Sequence, residues 1–318
     1  MATWLLSRLA DQPNPNFALM GTAYWMRGLA ILSDPSILTN QAICAPLSKV
    51  QRRQPRPDKD TEAYAYMLMA LHNLAALREF NAGSGRNRYN TIRSAIVAWY
   101  YCVYECSSAM VLAQSGDSAE EHRTTARLWH RHIAQQGLLC APFSLYLDTL
   151  VTTNVHQAIQ TYRAGNPHDL STKPTSDAEA LGATISYLNG TADFERDRAE
   201  KKIRDSKEFK ALGVSNFRTS AARTLRDKEF AKGFVNFPIQ AFRYRGKANY
   251  RDSIYLSYGA NWKDTVEQLS VDLEAVAQGF FRSASALVKC RTERGTWDDF
   301  AADIKANFKP DIDFSVLT

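Results

Sequence analysis

The stretch that decides the fold is YNTIRSAIVAWYYCVYECSSAMVLAQS, residues 89–115. Its apolar residues recur at steps of three and four, the spacing of one helical face: Ile92, Ile96, Trp99, Val103, Cys106 and Met110. Tyrosines cover much of the remaining surface, and Arg93 and Glu105 are the only charged residues between Ile92 and Gly116. A helix that is apolar nearly all round lies inside a bundle, so the stretch predicts a central core helix.

Helical periodicity continues on both sides of this stretch. Amphipathic helices are predicted at 17–32, 61–80 and 266–288, and the helical pattern also runs through 137–155. Proline and glycine clusters separate these segments, as in SDPS at 33–36. No repeat of fixed period is visible, so the sequence predicts an all-α fold of helical bundles rather than a solenoid.

A linker is predicted at 163–176, where proline, glycine, serine and threonine are concentrated. We therefore expect one helical domain over 1–162 and a second, basic one over 177–318. Ser176 and Glu179 form the capping box of the next helix. Asn189-Gly190 is predicted to close that helix, because these residues are typical just beyond a helix end.

The bulk composition favours a soluble cytoplasmic protein. Five cysteines without a C-x-x-C pair are typical of reduced core residues in a reducing compartment. The apolar runs near the N-terminus are too short or too charged for a signal peptide or a membrane span, so no membrane association is expected. The sequence also suggests neither a metal site nor a cofactor, because no histidine or cysteine pattern has ligand spacing.

Positive charge is concentrated in one part of the chain. Residues 196–251 contain 16 lysines and arginines and 6 acidic residues, whereas the whole chain has a net charge of +6. The densest segment is RYRGKANYR, and its candidate nucleic-acid-binding residues are Arg243, Arg245, Lys247, Tyr250 and Arg251. Guanidinium groups bind phosphates and aromatic faces stack on unpaired bases. The alternative is a solvated or partner-facing surface whose bases pair with nearby acids.

A second candidate site lies in EEHRTTARLWHRHI, residues 120–133. On a helix, His122 falls on the face that packs inward, whereas Arg123, Arg127 and His130 share a polar stripe. A neutral imidazole can accept a proton from a ribose 2′-hydroxyl, and guanidinium groups can hold a phosphate. The stripe thus suggests metal-free RNA cleavage. His132 lies on another side of the helix, so it takes part only if the helix is distorted. The alternative is a helix face exposed to water.

The central helix and this second stretch resemble the HEPN family (higher eukaryotes and prokaryotes nucleotide-binding) over about residues 61–136. NRYNTIRSAIVAWYYCVYECSSAMVLAQSG followed by HRTTARLWHRH is similar to its aromatic helix and to its motif of arginine, four to six residues, then histidine. Arg123 with His130, and Arg127 with His132, have that spacing. Thr124 or Leu128 stands where the family often has a polar residue such as asparagine, which weakens the match.

The resemblance implies a helical fold and the chemistry of a metal-independent endoribonuclease or of an inactive binding partner. Such proteins often belong to prokaryotic antiphage defence or toxin–antitoxin systems and often dimerise. RGKANYRD is similar to the same motif, with Tyr250 where histidine is expected, so the second half is a candidate second HEPN-like unit.

The sequence as a whole leads us to expect a protein that binds nucleic acid, RNA rather than DNA, as a homo-oligomer or as a subunit of a larger complex. The first hypothesis is a metal-independent RNase with Arg123, Arg127, His130 and His132 as catalytic candidates. The second is a non-catalytic nucleic-acid-binding or scaffold subunit of a defence complex. The third is an interaction protein that uses the helix faces near Trp99 and Trp129.

Overall fold

The computed structural model describes residues 19–83, 85–249, 256 and 263–308, with the backbone alone for 247–249 and 263. Helices make up most of this part of the chain, and it contains no β-strand. Leu147 and Val235 form an isolated antiparallel bridge. The prediction of an all-α fold is confirmed.

The helices are joined mostly by short connections. In chain order they are α1 Gly21–Leu32, α2 Asn40–Cys44, α3 Pro57–Ala82, α4 Gly85–Ser115, α5 His122–Trp129, α6 Thr152–Arg163, α7 Asp177–Asp205, α8 Lys207–Ala211, α9 Ser220–Phe230, α10 Phe237–Asn249, α11 Lys263–Arg291 and α12 Thr296–Asn307. A π-helical turn, His130–Ala134, extends α5.

The 31-residue helix α4 is the centre of the larger core. Helices α3 and α11 pack along it, and α5 and α10 also contact it. All six residues of its predicted apolar face are buried. By length and composition α4 would also pass as a membrane-crossing helix, but 78% of its most apolar 18-residue window is buried inside the protein. The prediction of a central core helix is confirmed.

A cluster of buried aromatic rings joins α4 to three other helices. Trp25 of α1 stacks on Tyr187 of α7 with ring centroids 3.8 Å apart. The same indole meets Trp99 of α4 edge-on at 6.0 Å, and Tyr244 of α10 lies 5.7 Å from both tryptophans. Edge-to-face and stacked pairs add to the stabilisation that burial of the rings provides. This cluster fixes α1, α7 and α10 relative to α4.

Three arginines hold the C-terminal end of α4. Arg53 donates from Nε to the carbonyl oxygen of Ala113 at 2.8 Å. Arg56 and Arg291 donate to the next two carbonyls, those of Ser115 and Gln114, each at 3.2 Å. These carbonyls have no partner within the helix, and the negative end of the helix dipole favours cations. The three guanidinium groups therefore satisfy an end of α4 that would otherwise need water.

A second hydrophobic cluster lies beneath α6, α7 and α9. It contains buried residues from both sides of the predicted linker, among them Leu147, Val155, Ile185 and Phe230. In the first cluster, α11 and α7 of the predicted second domain pack against α4 and α1 of the predicted first domain. The two predicted domains, 1–162 and 177–318, thus share core contacts, and their division remains a prediction.

Two boundaries predicted from the sequence are wrong. Asn189-Gly190 does not end its helix, because α7 runs from Asp177 to Asp205. Burial of Thr191, Ala192 and Glu195 against neighbouring helices outweighs the weak helix propensity of glycine. The segment 138–151 is not helical, because the Leu147 backbone pairs with that of Val235 in both directions, at 2.8 and 2.9 Å. A turn at 141–144 precedes this bridge.

Replacement of Trp99 by alanine tests the aromatic cluster. Trp99 has no exposed surface and contacts Trp25 and Tyr244. We expect Trp99→Ala to lower the free energy of unfolding by about 3–5 kcal/mol, because the cavity would not collapse in a packed bundle. Urea denaturation measures this, with Met69→Ala as control, since Met69 is 51% exposed. A loss no greater than that of the control would contradict the central role of Trp99.

Candidate functional site

The four candidate catalytic residues of α5 and its π-helical turn have different surroundings. Arg123 donates from Nη2 to both carboxylate oxygens of Glu195 on α7, at 2.8 Å each. Its guanidinium carbon lies 5.9 Å from the ring centroid of Phe242 on α10. The Glu195 side chain is only 9% exposed, so Arg123 neutralises a buried charge and ties α5 to α7.

Arg127 is exposed, and in the described part of the chain it has neither a hydrogen bond nor an ion pair. The sequence places it on one polar stripe with Arg123 and His130, but here Arg127 is exposed whereas His130 is buried. By contrast, Arg123 pairs with Glu195 of α7, and His130 lies against Asp148 in the non-helical segment 138–151.

His130 is buried, and both of its ring nitrogens face protein. Nε2 lies 3.0 Å from Oδ1 of Asp148, while Nδ1 is buried without a hydrogen-bond partner among the described residues. The ring stacks on Phe234 with centroids 4.6 Å apart. Burial lowers the pKa of His130 despite the opposing effect of Asp148, so the ring is neutral at pH 7. In this arrangement Nε2 lies against a carboxylate and Nδ1 is buried.

His132 points to a different carboxylate. Its Nε2 lies 3.2 Å from Oδ2 of Asp117, in the connection between α4 and α5. The helix is distorted here, because His130–Ala134 forms a π-helical turn. The distortion does not bring the two imidazoles to one partner: His130 contacts Asp148 and His132 contacts Asp117.

The two described arginines of the basic segment face different helices. Arg243 donates to Oγ1 of Thr191 at 2.9 Å, and its guanidinium carbon lies 4.8 Å from the ring centroid of Phe194, both on α7. Arg245 instead faces α4. The Lys247 side chain, Tyr250 and Arg251 lie outside the described residues.

Arg245 lies against the tyrosines of α4. Its guanidinium carbon is 5.3 Å from the ring centroid of Tyr100 and 5.6 Å from that of Tyr101. Its Nε is buried without a hydrogen-bond partner, and no carboxylate within the described ranges pairs with this side chain. Nη2 donates to the hydroxyl oxygen of Tyr101 at 3.5 Å. Aromatic faces and this long hydrogen bond hold the positive charge, which leaves other N–H groups of the guanidinium for a further acceptor.

His122 completes this group. Its ring centroid lies 4.5 Å from that of Tyr104, 5.4 Å from Tyr100, 6.1 Å from Tyr101 and 5.7 Å from Phe242. We call these residues the His122 cluster: Tyr100, Tyr101, Tyr104, His122, Phe242 and Arg245. It joins helices α4, α5 and α10, and Arg123 lies beside it over Phe242.

The electrostatics of the cluster keep the imidazole neutral. Partial burial lowers the pKa of His122, and the positive charge of Arg245 lowers it further. Neither ring nitrogen makes a hydrogen bond within the described part of the chain, and Nδ1 is buried. His122, Tyr101, Tyr104, Phe242 and Arg245 are all partly exposed. A neutral base and a guanidinium thus share a site that solvent reaches.

The sequence interpretation assigned His122 to the packed face and missed this cluster. The three tyrosines of WYYCVY and the histidine at the start of α5 are visible in the sequence, but Arg245 lies 123 positions beyond that histidine. Periodicity relates residues on one helix, and it does not indicate which face of α10 meets α4. The missing information is therefore the packing of the helices.

Among the described residues, no group of three or more histidine, cysteine, aspartate and glutamate side chains is arranged to hold a metal ion. Comparison of the chain with protein families, curated proteins and solved structures found no match. The candidate site therefore rests on its own geometry.

The effect of Arg245 on His122 can be measured directly. We expect Arg245→Gln to raise the pKa of His122 toward the ordinary value of about 6.5, because a positive neighbour is removed. The pKa of His130 should not change, since Asp148 rather than Arg245 is its charged neighbour. NMR titration of the histidine side chains measures both values, and an unchanged His122 pKa would contradict the proximity of the two groups.

Proposed function

We propose that the protein binds RNA at the His122 cluster and cleaves it without a metal ion, as HEPN endoribonucleases do, but with a histidine outside the arginine–histidine pairs that resemble the HEPN motif. The observation that supports this most strongly is the pairing of a neutral imidazole with a guanidinium that has no carboxylate partner in the described part of the chain. Aromatic faces beside them match the stacking surfaces that bind unpaired bases. The RNase hypothesis is kept, but the proposed general base is His122 and not His130.

In the proposed reaction, Nε2 of His122 accepts the proton of a ribose 2′-hydroxyl. The 2′-oxygen forms a bond to phosphorus as the bond from phosphorus to the 5′-oxygen breaks, and the leaving oxygen takes a proton from water. Arg245 stabilises the charge that develops on the phosphate. The products are a 2′,3′-cyclic phosphate and a 5′-hydroxyl end.

Burial of His122 suits this role. A histidine with a lowered pKa is unprotonated over most of the neutral range, so it is ready to accept a proton. Since the pKa is lower in the folded than in the unfolded chain, neutral His122 favours folding above pH 6.5, and this contribution is lost as pH falls through the folded pKa. The proposed activity should fall over the same acidic range.

The contacts of the other motif residues favour a second function. Arg123 is held by Glu195, and His130 and His132 lie against Asp148 and Asp117. If these residues serve only to hold α5 in place, the protein is a non-catalytic RNA-binding subunit of a larger assembly. In either case we propose a cytoplasmic protein of a defence or toxin system.

RNA cleavage in EDTA separates these functions. We expect the wild-type protein to cleave single-stranded RNA and His122→Ala to lose about 10²–10⁴-fold in rate, the usual contribution of a general base. His156→Ala is the matched control, because His156 is exposed on α6. An RNA with a single 2′-deoxyribose at the cleavage position should resist.

His130→Ala and His132→Ala complete the comparison, each checked for folding by circular dichroism. If one of these variants loses cleavage and His122→Ala does not, the general base is the histidine replaced in that variant. RNA binding without cleavage by the wild-type protein would support the non-catalytic subunit. Absence of RNA binding at low salt would overturn both functions.

A further inference from the structure

The positive charge of the protein lies mostly outside the His122 cluster. Residues 198–228 contain ten lysines and arginines and four acidic residues, so this segment has the same net charge, +6, as the entire chain. It comprises the C-terminal part of α7, all of α8 and most of α9. A local excess of this size produces a strong positive potential at the surface.

Most of these cations are exposed and unpaired. We call the following residues the basic platform, since each is exposed and none has an ion pair with another described residue: Arg198, Lys201, Lys202, Lys207, Lys210, Arg218, Arg223 and Lys228. The other two cations of the segment do have partners, Arg204 with Glu200 and Arg226 with Asp227. Charges without internal partners are available to an external polyanion.

The platform has a rigid support. The guanidinium carbons of Arg204 and Arg226 lie 5.1 and 5.9 Å from the ring centroid of Phe217, so α7 and α9 meet across this ring. Phe209 and Phe230 are buried beneath the same region. Ser206 and Thr219 cap α8 and α9 by accepting hydrogen bonds from backbone N–H groups. Seven of the eight cations are therefore presented by helices, and Arg218 lies in the connection between α8 and α9; a fixed backbone reduces the entropy lost on binding.

Helix α7 connects the platform to the candidate site. Glu195, which binds Arg123 beside the His122 cluster, is on the same helix as Arg198 and Lys202. At a rise of 1.5 Å per residue, these side chains emerge about 5–10 Å further along the helix axis. A strand that leaves the cluster in this direction meets the platform within a few nucleotides.

We propose that the basic platform binds the phosphate backbone of the RNA strand that flanks the His122 cluster. This inference rests on the proposed binding of RNA, and it assigns the flanking strand to α7, α8 and α9. The exposed residues favour a polyanion over a protein partner, because protein interfaces are anchored by apolar and aromatic side chains. Leu212, at 37% exposed, is the only exposed large hydrophobic residue among residues 198–228.

The salt dependence of RNA binding tests the platform. The probe is a fluorescein-labelled 20-nucleotide single-stranded RNA, measured by anisotropy with full-length His122→Ala protein so that cleavage does not intervene. We expect Lys207→Glu with Lys210→Glu to weaken binding at least tenfold at 50 mM salt. The slope of log K against log salt should become shallower by about 1.4, since two phosphate contacts are lost.

The matched control is Lys49→Glu with Lys305→Glu, which makes the same change in net charge at two exposed lysines outside the platform. The inference is supported if the platform variant alone loses affinity and slope. It is overturned if both variants lose affinity equally, because net charge then explains the effect. It is also overturned if the platform variant binds RNA like the parent protein. The same holds if the variant loses binding to a polyglutamate peptide, used as a model of an acidic protein partner, but not to RNA.

These outcomes separate the platform from the enzyme. Cleavage by the wild-type protein together with unaltered RNA binding by the platform variant would overturn the platform and leave the proposed function intact. Platform-dependent RNA binding by a wild-type protein that does not cleave RNA would support the platform and overturn the RNase. Circular dichroism of each variant ensures that lost binding does not come from unfolding.

Discussion

The burial of α4 is the constraint on which the rest of the structure depends. This helix carries apolar or aromatic residues on nearly every face, so it is stable in water only where other helices cover it. Helices α3 and α11 cover its length, and the rings of Trp25, Tyr187 and Tyr244 close around Trp99. Three arginines hold the end that these helices leave open. Together these contacts enclose most of α4.

The candidate site lies where this enclosure is incomplete. Tyr101 and Tyr104 stay partly exposed on α4, and α5 and α10 approach them from the rest of the chain. α5 brings His122 and α10 brings Arg245 to the same aromatic surface. Partial burial and positive charge then both lower the pKa of the imidazole. The packing that stabilises the bundle thus also produces the properties that the proposed chemistry needs.

The sequence predicts what depends on a single helix and fails where two helices meet. The apolar face of 92–110 is buried as its spacing predicts, because periodicity alone determines which side of a core helix needs cover. Asn189-Gly190 misleads because packing outweighs local propensity in α7. The partners of Arg123 and His130, namely Glu195 and Asp148, are 72 and 18 positions away. No local pattern indicates them, nor the meeting of His122 with Arg245.

Photocrosslinking with 4-thiouridine RNA tests the central claim most directly. The label is placed at one position of a single-stranded RNA, and mass spectrometry identifies the crosslinked residue. Our account predicts crosslinks to the partly exposed rings of the His122 cluster, above all Tyr101 and Tyr104. Crosslinks confined to the surroundings of His130 and His132, or none above those of a bovine serum albumin control, would contradict it.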